Sequence, residues 1–320
     1  MKRPRILLTR LWPQEVVHYL AERYETTVNT PDRPLDRLAL MAAMTNFNAI
    51  CPTVSDHIDA GILGILAASV RILANFGAGY DQIDTVAASR AGIAVTNTPD
   101  VLTEATAELA VMLMLMVTRR AAEGERELRS KQWQGWHPTH LMGRSISGKL
   151  LGLVGFGRIA QATARLAQSL GMRIAYHSRN RRENPQGIEA QFFGDLESLL
   201  SAADIISLHC PGGAATHHLI DEGRLRLLRP SAVLTNTARG SIIDKKALAD
   251  ALRDKRIAGA GLDVYACEPN VRQELLELQN VVLLPHLGNA TLETRIAMGM
   301  RVAANLDAFF SGHPPVDRVA

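Results

Sequence analysis

The chain has 320 residues, 47% hydrophobic and 21% charged, with a formal net charge of +3. That length suits roughly two domains, each able to bury its own core, and the charge is too small to argue for nucleic acid or a membrane surface. Partners are therefore expected to be small molecules. Cys51, Cys210 and Cys267 are widely spaced, with neither a CxxC nor a Cys/His ligand pattern, so no disulfide framework, zinc site or other metal is suggested. They read as packing residues in a reducing cytoplasm. The longest apolar run, 109–117, is about half a membrane span, and 6–9 is far too short for the apolar part of a signal peptide.

From residue 5 to 98, short β-rich runs (5–9, 26–29, 49–53, 71–76 and 94–97) alternate with helical ones (14–23, 35–44, 57–68 and 85–91). That alternation predicts a parallel, doubly wound sheet. No Gly-x-Gly-x-x-Gly opens it, so this first part is not the expected nucleotide binder. Residues 99–120 open a long helix, capped by Asp100 or Thr103, with Glu104 and Glu108 near its start and Arg119 and Arg120 at its end. It is apolar nearly all round, which predicts burial between domains or between subunits. Residues 123–142 are polar and read as a loop, in which Trp133 and Trp136 are expected to anchor onto the chain's own surface or a partner.

Residues 149–182 form the unit around which the rest is arranged. An apolar run, 150–154, ends at Gly155-Phe156-Gly157-Arg158-Ile159-Ala160; a helical pattern follows, closed by Gly171, and a second apolar run occupies 172–176. This is strand, glycine turn, helix, strand. Gly155 permits the tight turn, Gly157 lets the backbone approach a pyrophosphate, small Ala160 lets helix pack on strand, and the amides of the helix start, Arg158 and Ile159 among them, face the phosphates. At the end of the second strand an NAD-binding protein usually carries Asp or Glu for the ribose 2′-hydroxyl. This chain has His177, Ser178 and Arg179 there, followed by Arg181 and Arg182. The missing carboxylate and the nearby guanidinium point to NADP, with NADH as a second cofactor; the alternative is a solvated basic loop.

Further strands are predicted at 204–208, 232–236, 259–264 and 281–284, and helices at 196–202, 221–228, 245–253, 275–278 and 292–310. The last helix is too long for a dangling tail and is expected to return to the first domain. The predicted fold is thus α/β, with two doubly wound parallel-sheet domains: a flavodoxin-like substrate domain of 1–99 and 291–320, and a Rossmann cofactor domain of 100–290. The substrate is expected in the cleft between them.

Three segments place titratable residues where strands end: Asn236-Thr237-Ala238-Arg239-Gly240, Asp263-Val264-Tyr265-Ala266-Cys267-Glu268-Pro269, and Leu284-Pro285-His286-Leu287-Gly288. In open α/β sheets such ends converge on the ligand crevice. Reduction of a 2-keto acid needs a cation for carboxylate and carbonyl, a proton donor, and an anion that keeps the donor charged. Arg239, His286 and Glu268 fit those roles. Taken singly, each is better read as a surface Arg, a core His and an ion-pair Glu.

Taken together with Gly77-Ala78-Gly79-Tyr80-Asp81-Gln82-Ile83-Asp84, Asn97-Thr98-Pro99 and the glycine turn, they make the chain resemble the D-isomer-specific 2-hydroxyacid dehydrogenase family over nearly its whole length. The resemblance implies that Arg239 binds the substrate's carboxylate and keto oxygen, that His286 is the acid/base, and that Glu268 sustains its charge. It implies that the amides of Ala78 and Gly79 cradle the carboxylate, that Asp263 meets the nicotinamide carboxamide, and that Thr106 and Gly288 lie near the cofactor. Cys210, Pro211, Thr216, Thr237 and Ala238, after the middle strands, complete the candidate cofactor contacts. Within the family, Trp133-Gln134-Gly135-Trp136-His137-Pro138 and Tyr176-His177-Ser178-Arg179 are similar to NADPH-preferring glyoxylate/hydroxypyruvate reductases. That similarity implies a homodimer built on 100–145, with Trp136 shaping a substrate pocket. Two other readings stay open: another 2-hydroxyacid dehydrogenase, of 2-ketogluconate or phosphoglycerate type, and a nucleotide-sensing corepressor-like protein. The phosphoglycerate type is disfavoured by the lack of residues after Ala320 for a regulatory domain, the corepressor by the lack of recruitment tails.

Overall fold

The computed structural model describes residues 3–65, 68–182 and 187–320. They form two compact units, Met1–Leu102 with Asn289–Ala320 (unit 1) and Thr103–Gly288 (unit 2).

Unit 1 contains β1 (Arg5–Leu8), β2 (Glu25–Val28), β3 (Ala49–Cys51), β4 (Ile72–Ala74) and β5 (Ala94–Thr96), all parallel. Their order, β2-β1-β3-β4-β5, is the flavodoxin-like winding expected. Strands β3, β4 and β5 are buried at every position, as strands covered on both faces must be, and edge strand β2 is not. The helices are α1 (Gln14–Arg23), α2 (Arg37–Asn46), α3 (Ala60–Leu63), α4 (Thr85–Arg90) and the C-terminal helix (Leu292–Phe310). Asp36, Asp59 and Asp84 cap α2, α3 and α4 by accepting from the amide three residues on. Helix α3 is much shorter than the 57–68 expected: Asp59 caps it late, and Gly64 ends it. Residues 66 and 67 of that expectation lie outside the described residues.

Unit 2 opens with α5 (Thr103–Thr118) and α6 (Ala121–Arg129), then runs β6 (Leu150–Val154), α7 (Arg158–Ser169), β7 (Arg173–His177), β8 (Ala190–Phe192), α8 (Leu196–Ala202), β9 (Ile205–Leu208), α9 (Glu222–Leu227), β10 (Val233–Asn236), α10 (Lys245–Arg253), β11 (Gly259–Leu262), α11 (Gln273–Leu276) and β12 (Val281–Leu283). All seven strands are parallel, in the order β12-β11-β10-β9-β6-β7-β8. The chain starts at the sheet's middle, winds to one edge and then to the other, so the order reverses between β6 and β9. Ligands bind at such a switch point, beyond the carboxyl ends of the strands.

Three local expectations need correcting. Residues 123–142 are not wholly loop, because α6 occupies 121–129. It buries no residue, so it carries no apolar stripe, and its ion pairs Arg120–Glu123 and Arg129–Glu125 stand at helical spacing. The edge strand β8 was not anticipated, being only three residues long. Helix α5 starts at Thr103, past Asp100 with its φ of 70°, and packs on α7 and on β10 and β11. Its burial inside unit 2, through Ala107, Ala110, Leu113 and Met114, accounts for much of its apolar surface. Gly261 makes room for it, since a Cβ there would lie 3.1 Å from that of Leu113. Among the described residues, no helix is long and apolar enough to cross a membrane, and no group of three or more His, Cys, Asp or Glu is placed to hold a metal ion.

Candidate active site

The three catalytic candidates follow three neighbouring strands of unit 2, namely β10, β11 and β12, and the structure brings them together. His286 Nδ1 lies 2.8 Å from Glu268 Oε2, and the amide of Tyr265 donates to Glu268 Oε1 at 2.9 Å. Burial works against the charge on Glu268. The hydrogen bond and charge of His286, the Tyr265 amide and the charge of Arg239 outweigh it and hold the carboxyl below the usual range. Glu268 is thus held as an anion by its hydrogen bonds and by the nearby Arg239. His286 and Glu268 each keep more than a quarter of their side-chain surface, so the pair is reachable from solvent.

The His286 backbone is in the left-handed region at φ 57°, a conformation costing a non-glycine residue of order 1 kcal/mol. Asp263 holds it there. The Asp263 carbonyl accepts from the His286 amide at 2.9 Å, Oδ1 from the Leu287 amide at 2.7 Å, and Oδ2 from the Gly288 amide at 2.8 Å. The side chain is fully buried, and that burial pushes its carboxyl up against the opposing pull of the two amides and His286. Both side-chain oxygens of Asp263 thus shape the turn that carries His286.

Arg239 and Glu268 sit on loops pressed against each other through Gly240. A Cβ at that position would fall 2.0 Å from the carbonyl carbon of Tyr265 and 2.2 Å from the Ala266 amide. Tyr265 in turn is tied to the β12 end, its hydroxyl donating to Leu284 O at 3.0 Å. Gly240→Ala should therefore push the Arg239 loop off the Glu268 loop. The expected result is a destabilisation of about 1–3 kcal/mol, as for other overpacked sites, with a lower kcat in the protein that stays folded. Thermal melting and steady-state kinetics check it, and wild-type values of both would refute the contact.

The glycine turn between β6 and α7 fits a dinucleotide. Gly155 has φ 92°, and a Cβ there would lie 2.9 Å from the His209 and Cys210 backbone, so only glycine closes the turn. At Gly157 a Cβ would meet nothing within 4 Å, leaving open space ahead of the helix amides where a phosphate can approach. The Thr237 hydroxyl is buried and has no hydrogen-bond partner among the described residues, while Thr106 packs against Gly288. His177 ends β7 and Ser178, Arg179 and Arg182 follow it, with Arg179 and Arg182 exposed and the Tyr176 hydroxyl donating to the Arg182 carbonyl at 2.7 Å. Cys210 and Pro211 follow β9, and burial pushes the Cys210 thiol up to about 11. The Thr216 hydroxyl donates to Pro211 O at 2.6 Å.

Ala78 and Gly79 lie in unit 1, after β4. Trp136 stands 82% exposed and Trp133 50% exposed on the segment after α6, so the expected anchoring to the chain's own surface is not seen. Cys267 is also no packing residue: it is exposed, with Lys245 Nζ 3.6 Å from its sulfur. Two polar residues escaped the sequence reading. His209, at the end of β9, bonds Ser207 and is driven by burial down to about 4, so it is neutral. Asn75, fully buried beside Ala78 and Gly79, was signalled only by its polarity inside an apolar run.

Residues 111–288 match the sequence model of the family described as "D-isomer specific 2-hydroxyacid dehydrogenase, NAD binding domain". The chain is 43% identical to a glyoxylate reductase of Thermococcus kodakarensis over 98% of its own length and 95% of the relative's. It is 42% identical to a glyoxylate reductase of Pyrococcus furiosus, with 98% and 94% covered. Among solved structures it resembles the NADPH-dependent glyoxylate/hydroxypyruvate reductase of Sinorhizobium meliloti in complex with NADP and malonate, at a TM-score of 0.88 and 38% identity, covering 100% of this chain and 97% of that one.

Proposed function

The chain belongs to the D-isomer-specific 2-hydroxyacid dehydrogenase family, and on that premise we propose that this NAD(P)-dependent enzyme uses NADPH to reduce glyoxylate to glycolate and hydroxypyruvate to D-glycerate. The observation that carries the reading is the Glu268–His286 pair within the field of Arg239, at the carboxyl ends of adjacent strands.

The reduced nicotinamide supplies the hydride that reaches the keto carbon. Arg239 offers a planar fork of donors to the substrate's carboxylate and keto oxygen, and its charge stabilises the alkoxide as it develops. Glu268 accepts only, so His286 keeps its Nδ1 proton and donates it as a hydrogen bond to that carboxylate, which leaves Nε2 as the nitrogen that faces substrate. His286 Nε2 then gives its proton to the alkoxide oxygen. Ala78 and Gly79 are the unit 1 candidates for the carboxylate. Gly155, Gly157 and the first amides of α7 would hold the pyrophosphate, and Thr106, Thr237, Ala238 and Gly288 would line the nicotinamide side. The exposed Trp133 and Trp136 support a homodimer in which a second copy covers them and Trp136 limits the substrate's size.

The preference for NADPH is supported by the absence of a carboxylate after β7 and by the exposed Arg179. Arg179→Ala is expected to raise KM for NADPH by roughly tenfold, the value of one charge-assisted hydrogen bond, and to leave KM for NADH nearly unchanged. Equal effects on both cofactors would remove the assignment. The function itself is tested by following NADPH oxidation with glyoxylate, hydroxypyruvate, pyruvate and 2-ketogluconate. Turnover of the two smallest acids with NADPH above NADH is expected, and none with either would reject the proposal.

A further inference from the structure

In unit 1, the turn after β4 is held by an unusual set of bonds. Asn75 Nδ2 donates to the carbonyls of both Gly77 and Gly79, each at 2.9 Å, and Asn97 Nδ2 donates to the carbonyl of Ala78 at 2.8 Å. The Thr98 amide adds a second bond to Gly77 O, at 3.0 Å. Three consecutive carbonyls are thus drawn toward two buried asparagines, which are 0% and 9% exposed. A trans peptide is planar, with its N–H pointing opposite to its C=O. Pinning the carbonyls of Gly77, Ala78 and Gly79 inward therefore aims the amides of Ala78, Gly79 and Tyr80 outward. Among the described residues no acceptor takes these three amides, and all three residues keep solvent access.

The orientation of Asn75 is itself set. Gln82 Nε2 donates to Asn75 Oδ1 at 2.8 Å and to Thr53 O at 3.2 Å, so the Asn75 oxygen is occupied and its amino group is the end that meets the carbonyls. Successive outward amides form a concavity suited to an anion.

We infer that Asn75, oriented by Gln82, is a positioning residue for the carboxylate of the substrate, and that the amide of Tyr80 joins those of Ala78 and Gly79 as a third donor. The inference rests on the reading of a 2-keto acid substrate. It assigns Asn75 no contact with substrate: its work is to fix two of the three peptide planes, Asn97 holding the third, before the carboxylate arrives, so no orientation has to be found on binding.

The test uses oxalate as a carboxylate probe on the full chain loaded with NADPH. In Asn75→Ser the shorter side chain cannot span both carbonyls, and Gln82→Leu frees the Asn75 amide to rotate. In each variant the dissociation constant for oxalate and KM for glyoxylate are expected to rise about tenfold, the value of one charge-assisted hydrogen bond, while that for NADPH stays within about twofold. In the wild type, oxalate should shift the amide NMR signals of Ala78, Gly79 and Tyr80, a measurement that decides the matter if a variant does not fold. Unchanged oxalate affinity in a folded Asn75→Ser protein, or amide signals that ignore oxalate, would overturn the inference. A wild type that binds oxalate through these amides yet reduces no 2-keto acid would defeat the proposed function and leave this inference standing.

Discussion

His286→Asn is expected to lower kcat by about a thousandfold, within the range for loss of a general acid, while the dissociation constant for NADPH stays unchanged. Asparagine is chosen because position 286 is in the left-handed region, where Asn is tolerated and a residue such as Ala is strained. The Asp263 bonds to the amides of residues 286–288 do not involve the imidazole, so the turn survives the exchange. Nothing at that position could then protonate the alkoxide. Stopped-flow measurement of NADPH oxidation with glyoxylate separates the chemical step from cofactor binding, and a chemical step as fast as wild type would reject His286 as the acid.

Arg239→Ala should do greater damage to kcat/KM. Loss of one preorganised donor to a developing oxyanion costs about 10²–10³ in rate, and loss of a charge-assisted hydrogen bond to the carboxylate about tenfold or more in binding. Acting on the same substrate, the two losses together predict a fall in kcat/KM of about 10³–10⁴. Arg239→Lys keeps the charge without the planar fork and should recover only part of it. The charge of Arg239 also helps to hold Glu268 ionised, so the alanine variant is expected to need a higher pH to keep that carboxylate charged. The pH dependence of kcat/KM for wild type and variant, measured side by side, checks this, and an unchanged acid limb would show that Arg239 and Glu268 do not communicate.

Much of this protein could be read from local signals. Alternating apolar runs and helical periods specified parallel, doubly wound sheets because each strand buried on both faces must be apolar throughout, and β3 to β5 are buried throughout. The glycine turn was legible because only glycine satisfies φ 92° at Gly155. Arg239, Glu268 and His286 could be named as candidates only because the segments that carry them resemble those of a known family; taken singly, each had a better structural reading. Where local signal failed, the reason was equally physical. Helix α6 buries no residue and its one large apolar side chain, Leu128, is exposed, so no apolar run marks it, and β8 is only three residues long.

Composition and period by themselves determined the fold class and the cofactor turn, since each of these depends on residues close together in the chain, whereas the catalytic candidates were named only through the resemblance to a known family. Tertiary structure alone decided that Asp263 anchors the His286 turn, that Gly240 brings two loops into contact, and that Asn97 holds the Ala78 carbonyl. Those are pairings between segments brought together by the order of the strands, and a hydrogen bond formed across such a distance depends on where the backbone passes, which no window of sequence contains.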